Sequence, residues 1–283
     1  MAQDDHDDFD ADTDTDPDAD IESAKDVALR PGANADAQAD IDQYISAEVR
    51  ARYDVYSYRH AAAILANSYP NELKEIEKSL LEFNITKHDI ATPGGNESDM
   101  PKKFSKTLRP DGWLEARIQG DLVVRMQEYE EIFLENDKVK KTKLPEREAR
   151  TIENYIDGHK IDYVKGRVAF DVEWNSKDQT FDRDLYALRA FHECGLISVG
   201  VMVTRSASLN PVFSQIPVLN KKGEMKYAAK DTNKEHPVSC KQKYGASTTW
   251  MGKLLYRLNA GRHGGCPVLV FGITPKIITD WEE

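Results

Sequence analysis

The tightest constraint on this chain is the order of apolar segments in its second half, where short Val-rich runs alternate with segments of helical period. Arg167 to Trp174 alternates as a strand does, and Tyr155 to Tyr163 precedes it across the turn Val164-Lys165-Gly166. Asp182 to Cys194 puts Leu185, Leu188 and Phe191 on one helical stripe and stops at Gly195. Ile197 to Thr204 is an apolar run of the kind shown by a strand buried on both faces. A polar loop from Arg205 to Gly245 follows, then a helix from about Thr248 to Leu258 and a second buried strand, Val268 to Ile273. This order predicts an α/β fold with a mixed central β-sheet flanked by helices on both sides.

The first half is less constrained. The pattern turns helical at Ile41, and Tyr58 to Ala66 followed by Pro70 to Phe83 reads as helix, break, helix, with Leu73, Ile76, Leu80 and Phe83 on one stripe. Pro93, Gly94, Gly95 and Asn96 mark a loop, and Asp121 to Leu144 fits strand and helix equally well. No internal repeat is present.

The net charge of −11 argues at first against a nucleic-acid partner. It is unevenly spread, however, because residues 1–42 hold fifteen Asp and Glu against Lys25 and Arg30, which leaves residues 43–283 at +2. The segment from Met1 to about Asp40 has almost nothing to build a core from and is expected to be a disordered acidic tail. Residues 43–283 would then form one domain, near-neutral and compatible with a local basic cleft. The tail itself fits a solubilising extension or a strand of negative charge that competes with DNA phosphates for such a cleft.

No run approaches the roughly 18 consecutive apolar residues of a membrane span, and no basic and apolar leader is visible, so a cytoplasmic protein without membrane contact is expected. Cys194, Cys240 and Cys266 have neither disulfide nor zinc spacing. His159, His192 and His263 share no ligand spacing, and Gly261 to Gly265 lacks the arrangement of a phosphate-binding loop, so no nucleotide cofactor is expected.

Chemistry enters with the strand Gly166 to Trp174. Alternation puts Asp171 and Glu173 on one face and Phe170, Val172 and Trp174 on the other. Asp162 lies just before the turn, where an antiparallel return brings it near Asp171. Clustered carboxylates repel one another unless a cation or bound protons neutralise them, and hard oxygen donors suit Mg2+. Period-two acids also occur on the solvated face of a half-buried strand, and an Asp-x-Glu pair also fits a glycosidase. The residues alone leave these readings open.

The segment Asp162-Tyr-Val-Lys-Gly-Arg-Val-Ala-Phe-Asp171-Val-Glu173 resembles the active-site hairpin of the BglII-type restriction endonucleases, a branch of the PD-(D/E)xK nuclease superfamily. Asn71 to Leu81 is similar to that family's early helix. Gly245 to Leu255, leading to Cys266 to Ile273, is similar to its late loop, helix and strand. Glu173 departs from the lysine that ends the general pattern and is similar to the BamHI variation.

The resemblance implies a homodimeric type II enzyme that cuts double-stranded DNA at a specific, palindromic site and leaves 5′-phosphates. Asp162, Asp171 and Glu173 would be catalytic, and together with the carbonyl of Val172 they would hold Mg2+. The alternative is a DNA-binding or repair module of the same fold without sequence-specific cutting. Ser247, Thr248 and Thr249 are candidates both for helix capping and for contacts to base edges. Lys241 and Lys243 are candidates for phosphate contacts, and Asn175, Lys177 and Arg205 for further DNA contacts. Lys165 reads as a surface residue.

Overall fold

A computed structural model describes residues 26–92, 99–135, 138–220, 222–228, 233–245 and 247–282. Its centre is a six-stranded mixed sheet, built from β1 (Tyr53–Tyr58), β2 (Leu114–Arg117), β7 (Lys160–Lys165), β8 (Val168–Glu173), β9 (Val199–Arg205) and β10 (Val268–Ile273) in the spatial order β1-β10-β9-β8-β7-β2. The strands β8, β9 and β10 are parallel neighbours, whereas β1, β7 and β2 join antiparallel. As expected for strands sandwiched between helices, β8, β9 and β10 are buried at every position.

Helices cover both faces. On one lie α3 (Ala61–Ser68), α4 (Pro70–Glu82) and α6 (Asp99–Leu108), and the apolar stripe Leu73, Ile76 and Leu80 of α4 shares a core with Phe170, Val201 and Phe271. On the other lie α7 (Thr180–Glu193) and α10 (Met251–Asn259), whose Leu185, Leu188 and Leu254 pack with Ala169, Met202 and Val270. Close approach of α7 to the sheet depends on Gly200, where an added Cβ would stand 2.8 Å from Leu188. The expected mixed sheet with helices on both sides is therefore the observed architecture. Among the described residues no helix is long and apolar enough to cross a membrane.

Three local expectations differ. Tyr53–Tyr58, read as part of a helical stretch, is the edge strand β1, and its alternating exposure is that of an edge. The strand expected from Tyr155 to Tyr163 is broken at residues 157–159 into β6 (Arg150–Ile156) and β7. The ambiguous stretch Asp121 to Leu144 forms β3 (Gly120–Val124), β4 (Tyr129–Phe133) and β5 (Val139–Lys143), with β3 paired to β6 and β4 to β5. These strands are exposed along most of their length, so no buried face imposed a period on their sequence.

The tail expected to extend to residue 42 differs in its second part; residues 1–25 lie outside the described residues. Gly32 N–H donates to Asn259 Oδ1 at 2.7 Å, Asp36 N–H donates to the Ser57 carbonyl at 2.8 Å, and Ile41 in α1 (Gln38–Tyr44) is 2% exposed. Docking here rests mainly on backbone and Asn or Asp groups, which is why hydrophobic content did not reveal it. Deleting residues 1–25 is expected to leave the melting temperature unchanged. Deletion through 42 removes the Ile41 side chain, worth about 1.5–3 kcal/mol, and should lower the melting temperature by roughly 5–10 °C. Differential scanning calorimetry of the two truncations checks this, and equal stability of both would refute the docking.

Candidate active site

The strand β8 carries the site because its two faces meet different helical layers. Phe170, Val172 and Trp174 point into the core under α4 and α6, while Asp171 and Glu173 point toward α7. The turn after β7 uses Gly166 at φ +54°, a left-handed conformation that glycine adopts without strain. It sets Tyr163 opposite Phe170, and continuing that register by one residue places Asp162 opposite Asp171. The sequence-predicted trio is therefore brought together.

A fourth acid joins it from α7. Asp184 is 1% exposed, and its negative charge acts on both Asp171 and Glu173. Burial, followed by the charges of Asp184, Asp162 and Glu173, holds the Asp171 carboxyl well above the usual carboxylate range. Burial and the Asp184 charge push Glu173 up to about 8, and burial raises Asp184 to about 6 against the opposing charge of Arg183. One oxygen of each of these two acids, Glu173 Oε2 and Asp184 Oδ2, is buried without a hydrogen-bond partner.

Sequence reasoning missed Asp184. The available signal was an acid set among Phe181, Leu185 and Leu188 on the buried stripe of a helix, a position where a carboxylate is costly unless used. It also missed Arg183, whose guanidinium is half-exposed and lies at the edge of the cluster. Its Nε and Nη2 donate to Asp184 Oδ1 at 3.0 and 2.9 Å, and Nη2 lies 3.8 Å from Glu173 Oε1. The helix that carries both residues is tied to α10 by ion pairs of Asp178 with Lys253 (3.4 Å) and of Asp182 with Arg257 (3.0 Å).

The donor set suits a hard divalent cation. All the groups are carboxylate oxygens, two of them are buried without a donor, and burial together with their mutual repulsion raises the proton affinity of Asp171 and Glu173. Among the described residues no group of three or more Asp, Glu, His or Cys side chains is placed to hold a metal ion. The Val172 N–H donates to Asp171 Oδ1 at 3.2 Å, and the Val172 side chain is buried in the opposite core.

The residues assigned to DNA contacts divide. Lys177 and Ser247 are exposed on the two segments that leave the site, joined by the antiparallel bridge of Lys177 with Thr248; Asn175 is half-buried beside them. Lys241 is half-buried on the short helix α9 (Cys240–Lys243).

Three assignments need correction. Arg205 is fully buried beside the stacked rings of Phe213 and Tyr244, and its guanidinium donates to the Trp174 and Thr249 carbonyls and to Thr248 Oγ1. With no exposed surface, it is not open to DNA. Lys243 donates to the carbonyls of Ile90 and Thr92 at the end of α5 (Lys87–Ala91) and so caps that helix instead of reaching a phosphate. Thr249 is buried, and its Oγ1 accepts from the Ser176 N–H at 3.1 Å. Capping of α10 by these hydroxyls is also absent, since the helix starts at Met251 with Trp250 before it. Lys165 is no lysine for this site either: it pairs with Glu75 of α4 at 2.6 Å, on the opposite face of the sheet.

A family model described as restriction endonuclease BglII/BglIII matches residues 53–273, which span β1 to β10 and include all four acids. No curated protein matches the chain.

Proposed function

The chain belongs to the BglII/BglIII restriction endonuclease family, and from that premise we propose that it hydrolyses both strands of a palindromic DNA site with Mg2+, as a homodimer, leaving 5′-phosphates. The observation that carries the reading is the convergence of Asp162, Asp171, Glu173 and Asp184 on one side of the central sheet, with two buried carboxylate oxygens that lack partners.

In this reading Asp162, Asp171 and the carbonyl of Val172 hold the cation. A bound Mg2+ supplies Lewis-acid stabilisation of the charge that builds on the phosphoryl oxygens. Glu173 would take the proton from the attacking water, its Oε2 being buried without a donor. Burial of Asp171 at 5% exposure keeps bulk water from screening these charges. Ser247 and Lys177, exposed beside the site, are placed to touch the duplex, with Asn175 and Thr248 behind them and Lys241 further along the loop. Two such sites, related by two-fold symmetry, match a palindrome whose two strands are cut alike.

Purified protein incubated with unmethylated plasmid should give discrete fragments with Mg2+ and none with EDTA. Their ends should ligate without prior phosphorylation, and sedimentation should report a dimer. Binding without fragments in any divalent ion would instead favour a non-cutting DNA-binding module.

A further inference from the structure

The site gathers Asp162, Asp171, Glu173 and Asp184, whose negative charges act on one another. A phosphodiester approaching four acids would meet repulsion, which falls off slowly in a partly buried site. A cation facing outward from the cluster would offset it. Resting on the nuclease reading above, we propose that Arg183 contacts the scissile phosphate and supplies the positive charge that offsets the acids there, with Asp184 as the residue that positions it.

The geometry favours this role in three ways. First, Nε and Nη2 of Arg183 both bind the same oxygen, Asp184 Oδ1, while the side chain keeps 60% of its surface exposed. The guanidinium is thus held from below and leaves donors directed away from its anchor, in the fork arrangement that suits a phosphate. Secondly, the anchor is rigid: Asp184 is buried on a helix whose first turn is bonded to α10 through Asp182 and Arg257. Thirdly, Lys165, Lys253 and Arg257 have different partners. Lys165 faces Glu75 across the sheet, and Lys253 and Arg257 lie against Asp178 and Asp182. In the free protein the same guanidinium, 3.8 Å from Glu173 Oε1, competes with a divalent ion for the carboxylates.

The two consequences have opposite signs, which separates this role from simple support of the fold. Arg183→Ala is expected to slow single-turnover cleavage by about 10²–10³-fold, as loss of a charge-stabilising donor does. With Ca2+ replacing Mg2+, the logarithmic salt dependence of duplex binding should flatten by about one unit for one lost phosphate contact. The affinity of the DNA-free protein for Mn2+, titrated by electron paramagnetic resonance, should stay equal or rise because a competing cation is gone. Arg183→Lys should recover part of the rate.

Unchanged rate and salt slope in Arg183→Ala would overturn the proposal. So would a fall in Mn2+ affinity and melting temperature alongside the rate, which would make the arginine a strut of the cluster. Should the wild-type protein cut no DNA in any metal, the nuclease reading fails by itself. The salt slope of binding then still decides whether Arg183 touches a phosphate.

Discussion

Asp171→Asn and Glu173→Gln are expected to reduce cleavage by roughly 10³-fold or more while making the metal-free protein more stable. The two effects share one cause. Both carboxyls are buried beside other acids, so the charged forms are unfavourable until a cation arrives. An amide keeps the shape and removes the charge, and with it the ability to hold a cation or accept a proton.

The pH dependence has a definite sign. Glu173 sits at about 8 in the folded protein against an ordinary 4.5, so between those values the folded state binds more protons than the unfolded state. Stability of the metal-free protein therefore falls as pH rises from about 4.5 to about 8 and levels off above, by an amount on the order of a few kcal/mol. Glu173→Gln should flatten this fall. Thermal unfolding in EDTA from pH 5 to pH 9, beside cleavage in Mg2+, measures both. Near wild-type cleavage in either variant would sink the site assignment, and a metal-free protein most stable at pH 9 would contradict the electrostatics.

Arg205→Met should give the largest loss of stability among the residues first assigned to DNA. The guanidinium satisfies the Trp174 carbonyl at 2.7 Å, the Thr249 carbonyl at 2.8 Å and Thr248 Oγ1 at 2.6 Å, all at the junction between the end of β8 and the loop before α10. Each buried acceptor left without a donor costs about 1–3 kcal/mol, so a total of roughly 3 kcal/mol or more is expected even though the terms do not add. Urea unfolding gives the stability directly. Cleavage of single-base variants of the recognised site gives the second half of the test, because a structural clamp leaves their ranking unchanged. Wild-type stability with an altered ranking would return Arg205 to the DNA interface.

Strand β8 was legible because Asp171 and Glu173 alternate with Phe170 and Val172, whereas the turn before it lies at Gly166-Arg167, since Val164 and Lys165 still pair within the ladder. The all-buried strands β9 and β10 were legible as Val-rich runs for a related reason. Asp162 needed one further step, the turn that returns β7 along β8. The ribbons β3 to β6 were not legible, since their pairing leaves no continuous buried face to impose a pattern, and β1 was not because its buried face, Tyr53, Val55 and Ser57, alternates with Asp54 and Tyr56 in too short a run to separate from the helical pattern around it.

The sequence by itself thus determined the layered fold and three of the four acids, because burial acts on every residue of a strand and leaves a periodic trace. Which charged residues face the site was decided only in three dimensions. Asp184 and Arg183 are neighbours on one helix, yet one is buried and the other open to solvent; Arg205 and Lys243 look like DNA contacts in a polar stretch and turn out to hold carbonyls. A single charged side chain carries no period, and its partner comes from a distant segment, so its role becomes defined only when packing brings the two together.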